Sequence, residues 1–80
     1  MHELGVLCQT VKTVKSVAAK NGIKLIKYIT LEVGEASGFV PAFLDKLFPV
    51  AADGLELLRG ARLKILTVPG RGLVIKEIAY

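Results

Sequence analysis

Met1-His2-Glu3 opens the chain and puts its single histidine in second place. That placement allows a particular chemistry. A free α-amine, the amide nitrogen of residue two and the imidazole can close fused chelate rings on one metal ion. Glu3 can add its amide nitrogen or its carboxylate. Such a nitrogen-rich, tetragonal donor set suits Ni(II) or Cu(II) better than Zn(II) or Mg(II). It requires Met1 to carry the free amine, an expectation in keeping with the bulky second residue, which disfavours methionine removal. A histidine so placed is otherwise a solvated, frayed residue, because termini are poorly ordered unless tied down.

No constellation for catalysis accompanies the arm. The only histidine lies within it, so there is no Ser/His/Asp or Cys/His set. Gly34, Gly38 and Gly54 do not build a phosphate-binding motif. Glu32 and Glu35 could be read as a paired acid and base, but carboxylates at a strand end are far more often solvated. The sequence does not read as an enzyme.

Eighty residues make one domain, near the size at which a single core is only just sufficient. An apolar content of 52% compensates and excludes a disordered chain. No apolar run approaches the roughly 18 residues of a membrane span. The acidic third residue and the interspersed lysines do not fit a signal peptide. The reading is therefore a cytoplasmic protein with no membrane partner. A net charge of +4 is scattered along the chain, without the aromatic-studded basic stripe that specific nucleic-acid binding would need. The lone Cys8 cannot form an intramolecular disulfide. It falls on the apolar side of the first helical pattern, where a buried, inert thiol is expected.

The elements that must hold the arm can be taken in order. Leu4, Leu7, Cys8, Val11, Val14 and Ala18 recur at spacings of three and four, predicting a helix from Leu4 to about Asn21. Asn21-Gly22 supplies its stop. From Lys24 to Val33 the period becomes two, with Leu25, Ile29, Leu31 and Val33 on one face, which predicts a strand. Pro41 begins a second helix whose stripe is Val40, Phe43, Leu44, Leu47, Phe48 and Ala51. Pro49 within it predicts a kink or two shorter helices, ending near Asp53-Gly54. Ala61–Val68 and Leu73–Ile78 read as strands. The short Pro69-Gly70-Arg71-Gly72 segment between them predicts an antiparallel hairpin.

The expected fold class is α/β (α+β): one small domain of order α-β-α-β-β, with two helices on one face of a three-stranded mixed sheet. The first and second strands would be parallel if they share that sheet. Tyr28, Thr30, Leu66 and Val74 would lie on the uncovered face, which makes that face or an edge strand a candidate homodimer surface.

Several stretches resemble the HypA/HybF family. They are Met1-His2-Glu3-Leu4, the Leu31-Glu32-Val33-Gly34-Glu35-Ala36-Ser37-Gly38 loop, Val40-Pro41, Gly60-Ala61-Arg62-Leu63-Lys64-Ile65, and Gly72-Leu73-Val74-Ile75-Lys76-Glu77-Ile78. The likeness runs through essentially all 80 residues in the same order. It implies a nickel-binding metallochaperone for maturation of NiFe-hydrogenase, and in some organisms urease. Hydrogenase maturation proteins or the apo-hydrogenase would be its partners. On this resemblance His2 corresponds to the family's nickel ligand and Glu3 to the adjacent residue implicated in the same site. Some members also use an acid shortly after the glycine loop. Here that place is Phe39-Val40-Pro41, and Asp45 on the following helix stands at a different position.

The family also carries a zinc module, built from two CxxC pairs, between the second and third strands. Here Val68-Pro69 runs almost directly into Gly70-Arg71-Gly72, with no CxxC. The resemblance therefore implies a single HypA-like domain over residues 1–80, with the module absent between about 69 and 72 and no structural zinc. The alternative is an interaction or regulatory module that kept the fold and lost nickel delivery.

Overall fold

The computed structural model describes residues 2–80. Its elements are α1 (Glu3–Asn21), β1 (Tyr28–Gly34), α2 (Pro41–Ala52), a 3-10 turn (Glu56–Leu58), β2 (Arg62–Val68) and β3 (Leu73–Ala79). Both helices pack on one face of a three-stranded mixed sheet, as the patterning predicts. Leu7, Val11, Val14 and Ala18 of α1, Ile29, Leu31 and Val33 of β1, and Leu44 and Phe48 of α2 form the buried core.

The sheet order differs from the predicted hairpin. β1 lies in the centre, parallel to β2 and antiparallel to β3, so β2 and β3 are not neighbours. The Pro69–Gly72 connection instead steps across the C-terminal end of β1. Backbone bonds fasten it there: Gly34 N–H to Gly72 O at 2.7 Å, Glu35 N–H to Val68 O at 2.8 Å, and Ala36 N–H to Gly70 O at 2.8 Å. A hairpin and this crossing have the same short Gly/Pro signature, and only the competition for β1's two edges separates them. The crossing also explains Gly34, because a Cβ built there would fall on the Gly70 carbonyl and within 2.8 Å of the Arg71 nitrogen.

Two further boundaries move for physical reasons. The strand begins at Tyr28 rather than Lys24, and Leu25 is 50% exposed while Ile26 is buried. Residues 24–27 form an entry segment tied down by other partners, with Ile26 N–H on Leu57 O and Lys27 N–H on Ala79 O, so the strand's alternation starts only after them. α2 runs unbroken through Pro49. Pro49 and Asp45, whose carbonyl loses its partner, both lie on the exposed side of the helix, so the lost bond falls where water can replace it.

The opposite sheet face carries Tyr28, Thr30, Leu66 and Val74 as expected, Leu66 and Val74 being exposed. The Lys64 ammonium lies 3.8 Å from the Tyr28 ring centre, and Lys76 Nζ lies 3.8 Å from Glu32 Oε2. Lys76 is the additional residue where the β1–β3 register shifts between Thr30 and Leu31. Thr30 is buried beneath these side chains, and its hydroxyl has no partner among the described residues. Among those residues no helix is long and apolar enough to cross a membrane.

Two glycine substitutions should therefore act in opposite directions. Gly34→Ala forces the crossing off β1 and should destabilise the domain by about 1–3 kcal/mol, the range for overpacking. Gly5→Ala, in the exposed first turns of α1 with open space at its Cβ, should stabilise by about 0.5–1 kcal/mol. Urea unfolding midpoints of the two variants check both signs.

Candidate metal centre

The arm is built on the first turn of α1. His2 is the N-cap residue, exposed, and its side chain caps no amide. The first bond within the helix runs from Val6 N–H to the His2 carbonyl at 3.0 Å. The amides of Glu3, Leu4 and Gly5 precede that bond, so helix geometry leaves them without an intrahelical acceptor. An imidazole and an adjacent run of free backbone nitrogens thus stand together at one helix end. Met1 lies outside the described residues, so its predicted role as the amine donor has no structural counterpart here.

Glu3 is not part of a loose arm. It is the first residue of α1, only 4% exposed, and its Oε2 accepts the Val40 N–H at 3.1 Å. Val40 is the N-cap residue of α2. In a capping box, a Glu or Gln three residues into a helix reaches back to the amide of its own N-cap residue. That position in α2 is Phe43, which has no acceptor, and the first turn of α2 contains no acidic residue. Glu3 supplies the missing acceptor from a different helix. The carboxylate therefore lies where two helix N-termini meet, the end of a helix at which negative charge is favourable.

The loop that delivers Val40 is shaped by its small residues. Ser37 N–H bonds to Gly34 O at 3.0 Å, Gly38 takes φ +85°, and Phe39 N–H bonds to Ser37 Oγ at 3.2 Å. Phe39 then packs partly buried against the core. The backbone amide of Val40 is the participant that sequence reading missed. Amide donors have no residue-type signature, and the only cue was the absence of a capping residue before Pro41.

Among the described residues no group of three or more His, Cys, Asp or Glu side chains converges. The His2 imidazole thus has backbone nitrogens of the first turn, and no described cluster of such side chains, beside it. Cys8 offers no help to it and corrects an expectation: it is exposed, not buried. The inward face of α1 at this end is Glu3, Leu7 and Thr10, whereas Leu4 and Cys8 face outward. Thr10 tolerates burial because its hydroxyl donates to Val6 O at 2.8 Å, which satisfies the polar group inside its own helix.

This fold has known counterparts. Residues 1–73 match the family described as HypA, hydrogenase/urease nickel incorporation, metallochaperone. The chain belongs to the HypA family. It is 42% identical over 72 residues to the hydrogenase maturation factor HypA of Trichodesmium erythraeum, covering 90% of this chain and 60% of that protein. To HypA of Cereibacter sphaeroides it is 38% identical over 74 residues, covering 91% and 64% respectively. It thus spans about three-fifths of the length of these curated HypA relatives. The solution structure of the nickel metallochaperone HypA from Helicobacter pylori superposes with a TM-score of 0.78 at 18% identity. That superposition covers 96% of this chain and 72% of the other, and shows a shared HypA fold.

The position of Cys8 gives a direct check. An exposed thiol should react with a disulfide reagent in native buffer, one equivalent per chain, at a rate denaturant changes little. A thiol released only on unfolding would place Cys8 back in the core.

Proposed function

We propose that this domain binds Ni(II) at its N-terminal arm and passes it on during maturation of NiFe-hydrogenase, as a non-enzymatic metallochaperone. The donors in this reading are the Met1 amine, the amide nitrogen and imidazole of His2, and Glu3 through its amide nitrogen. The observation that carries it is the exposed His2 imidazole beside backbone amides that precede the first helical hydrogen bond. Metal there displaces only protons that serve no bond in the fold, so loading and release leave the core unstrained. An exposed, incomplete site is also what transfer to a second protein requires. Hydrogenase maturation proteins or the apo-hydrogenase are the receiving partners of this reading, by analogy with relatives named as hydrogenase maturation factors. Its setting is the cytoplasm.

The same reading treats the zinc module as missing between β2 and β3. The single cysteine of these 80 residues supports this, since four thiolates would be needed for two CxxC pairs. So does the shortness of the Pro69–Gly72 crossing. The exposed Leu66 and Val74 favour the alternative, an interaction or regulatory module that pairs with a second copy or another protein through its open sheet face and no longer delivers nickel.

A calorimetric Ni(II) titration separates them, using protein with an unblocked Met1 amine alongside His2→Ala and an N-acetylated form. Carrier function predicts one Ni(II) per chain, lost in both altered forms and strengthening as pH rises, because proton displacement accompanies binding. Binding indifferent to His2 and to the free amine would sink the carrier reading in favour of the interaction module.

A further inference from the structure

Glu3 presents two donors, a backbone nitrogen facing the arm and a carboxylate facing the fold. We infer that the carboxylate is a positioning group and not a metal donor: it fixes the start of α2 to the start of α1 and thereby sets where His2 and the free amides stand. Its consequence for metal uptake rests on the nickel reading above; the contact itself does not.

The geometry assigns the carboxylate to the protein. It is buried, and its Oε2 lies 3.1 Å from the Val40 nitrogen across 37 residues of sequence. Turning it toward a metal beside His2 would take it out of that site and leave the Val40 amide without its acceptor. α2 offers no replacement, since its first turn holds no acidic residue and Phe43 stands at the capping-box position. The loop in turn is fixed to the sheet. Ala36 N–H bonds to Gly70 O on the crossing, and Phe39 packs on the core. Glu3 is therefore the link between the rigid sheet and the arm, and His2 is the next residue outward. This is the role of an outer partner that orients a ligand-bearing segment, whose loss usually weakens metal affinity about 10–100-fold without changing the donors.

Three variants test it in protein starting at an unblocked Met1: Glu3→Gln, Glu3→Ala and Val40→Pro. The glutamine keeps an oxygen that can accept the Val40 N–H but is a poor metal donor. The proline removes that N–H while leaving the carboxylate in place, and its ring draws the Val40 φ of −97° in toward about −65°. Three readouts apply: Ni(II) affinity, the visible absorption of the bound nickel, and hydrogen exchange at the Val40 amide. The positioning role predicts that Glu3→Gln keeps parental affinity and a slowly exchanging Val40 amide. Glu3→Ala and Val40→Pro should each lose about 10–100-fold in affinity with the absorption spectrum unchanged in shape.

Loss of nickel in Glu3→Gln equal to that in Glu3→Ala, or an altered spectrum in either, would overturn the proposal and make the carboxylate a donor. Should Val40→Pro fail to fold, the Gln/Ala pair decides the matter alone. Should the parent take up no nickel, the carrier reading fails, and the exchange data judge the contact. Faster Val40 exchange in Glu3→Ala but not in Glu3→Gln upholds the clamp; equal exchange in both removes it.

Discussion

The constraint on which the rest of the structure depends is that β1 is hydrogen-bonded along both edges. With β2 parallel on one side and β3 antiparallel on the other, the chain cannot pass from β2 to β3 without crossing an end of β1. It crosses at Gly34, where only a residue without a Cβ leaves room for the Gly70 backbone. Three backbone bonds then fasten residues 34–36 to residues 68–72. The loop leaving β1 is thus fixed before it reaches α2, and Val40 arrives at a set place against α1.

That fixed arrival gives Glu3 its partner. Helix N-termini present unpaired amides and a partial positive charge, and here two of them meet over one buried carboxylate. Leaving such a buried pair half-made costs about 1–3 kcal/mol, a sizeable share of the margin an 80-residue domain has. α1 is consequently held at its first residue rather than fraying over its first turn. The arm is short because the anchor is so close to its tip: one described residue, His2, stands outside it. An imidazole one residue from a buried anchor samples far less space than one on a free terminus, where disorder concentrates.

Element types, their order and the two-helices-on-one-face architecture were legible because each follows from a local period. Leu7, Val11, Val14 and Ala18 recur at helical spacing, and Ile29, Leu31 and Val33 alternate. What was not legible depends on partners distant in sequence. Sheet order is one case, since a hairpin and a crossing over a third strand use the same Gly/Pro vocabulary. Leu25 is another, because the bonds of Ile26 to Leu57 and Lys27 to Ala79 decide where the strand's alternation starts. The rotation of α1's buried face is a third. A stripe through Leu4 and Cys8 and one through Glu3 and Thr10 flank the same apolar line, and hydropathy favours the first. The structure takes the second because Glu3 gains Val40 and Thr10 satisfies itself on Val6.

The candidate site shows the same division within one residue. Adjacency in Met1-His2-Glu3 suggests three co-ligands, because neighbours in sequence are neighbours in a flexible peptide. A helix changes that. Once residue three is the first helical residue, its amide belongs to the unpaired set at the helix end, and its side chain follows the direction in which the helix face is buried. His2, outside the helix, is free to face solvent. Glu3, inside it, faces α2. The imidazole of His2 and the carboxylate of Glu3 belong to neighbouring residues, yet one is exposed to water and the other is buried against α2.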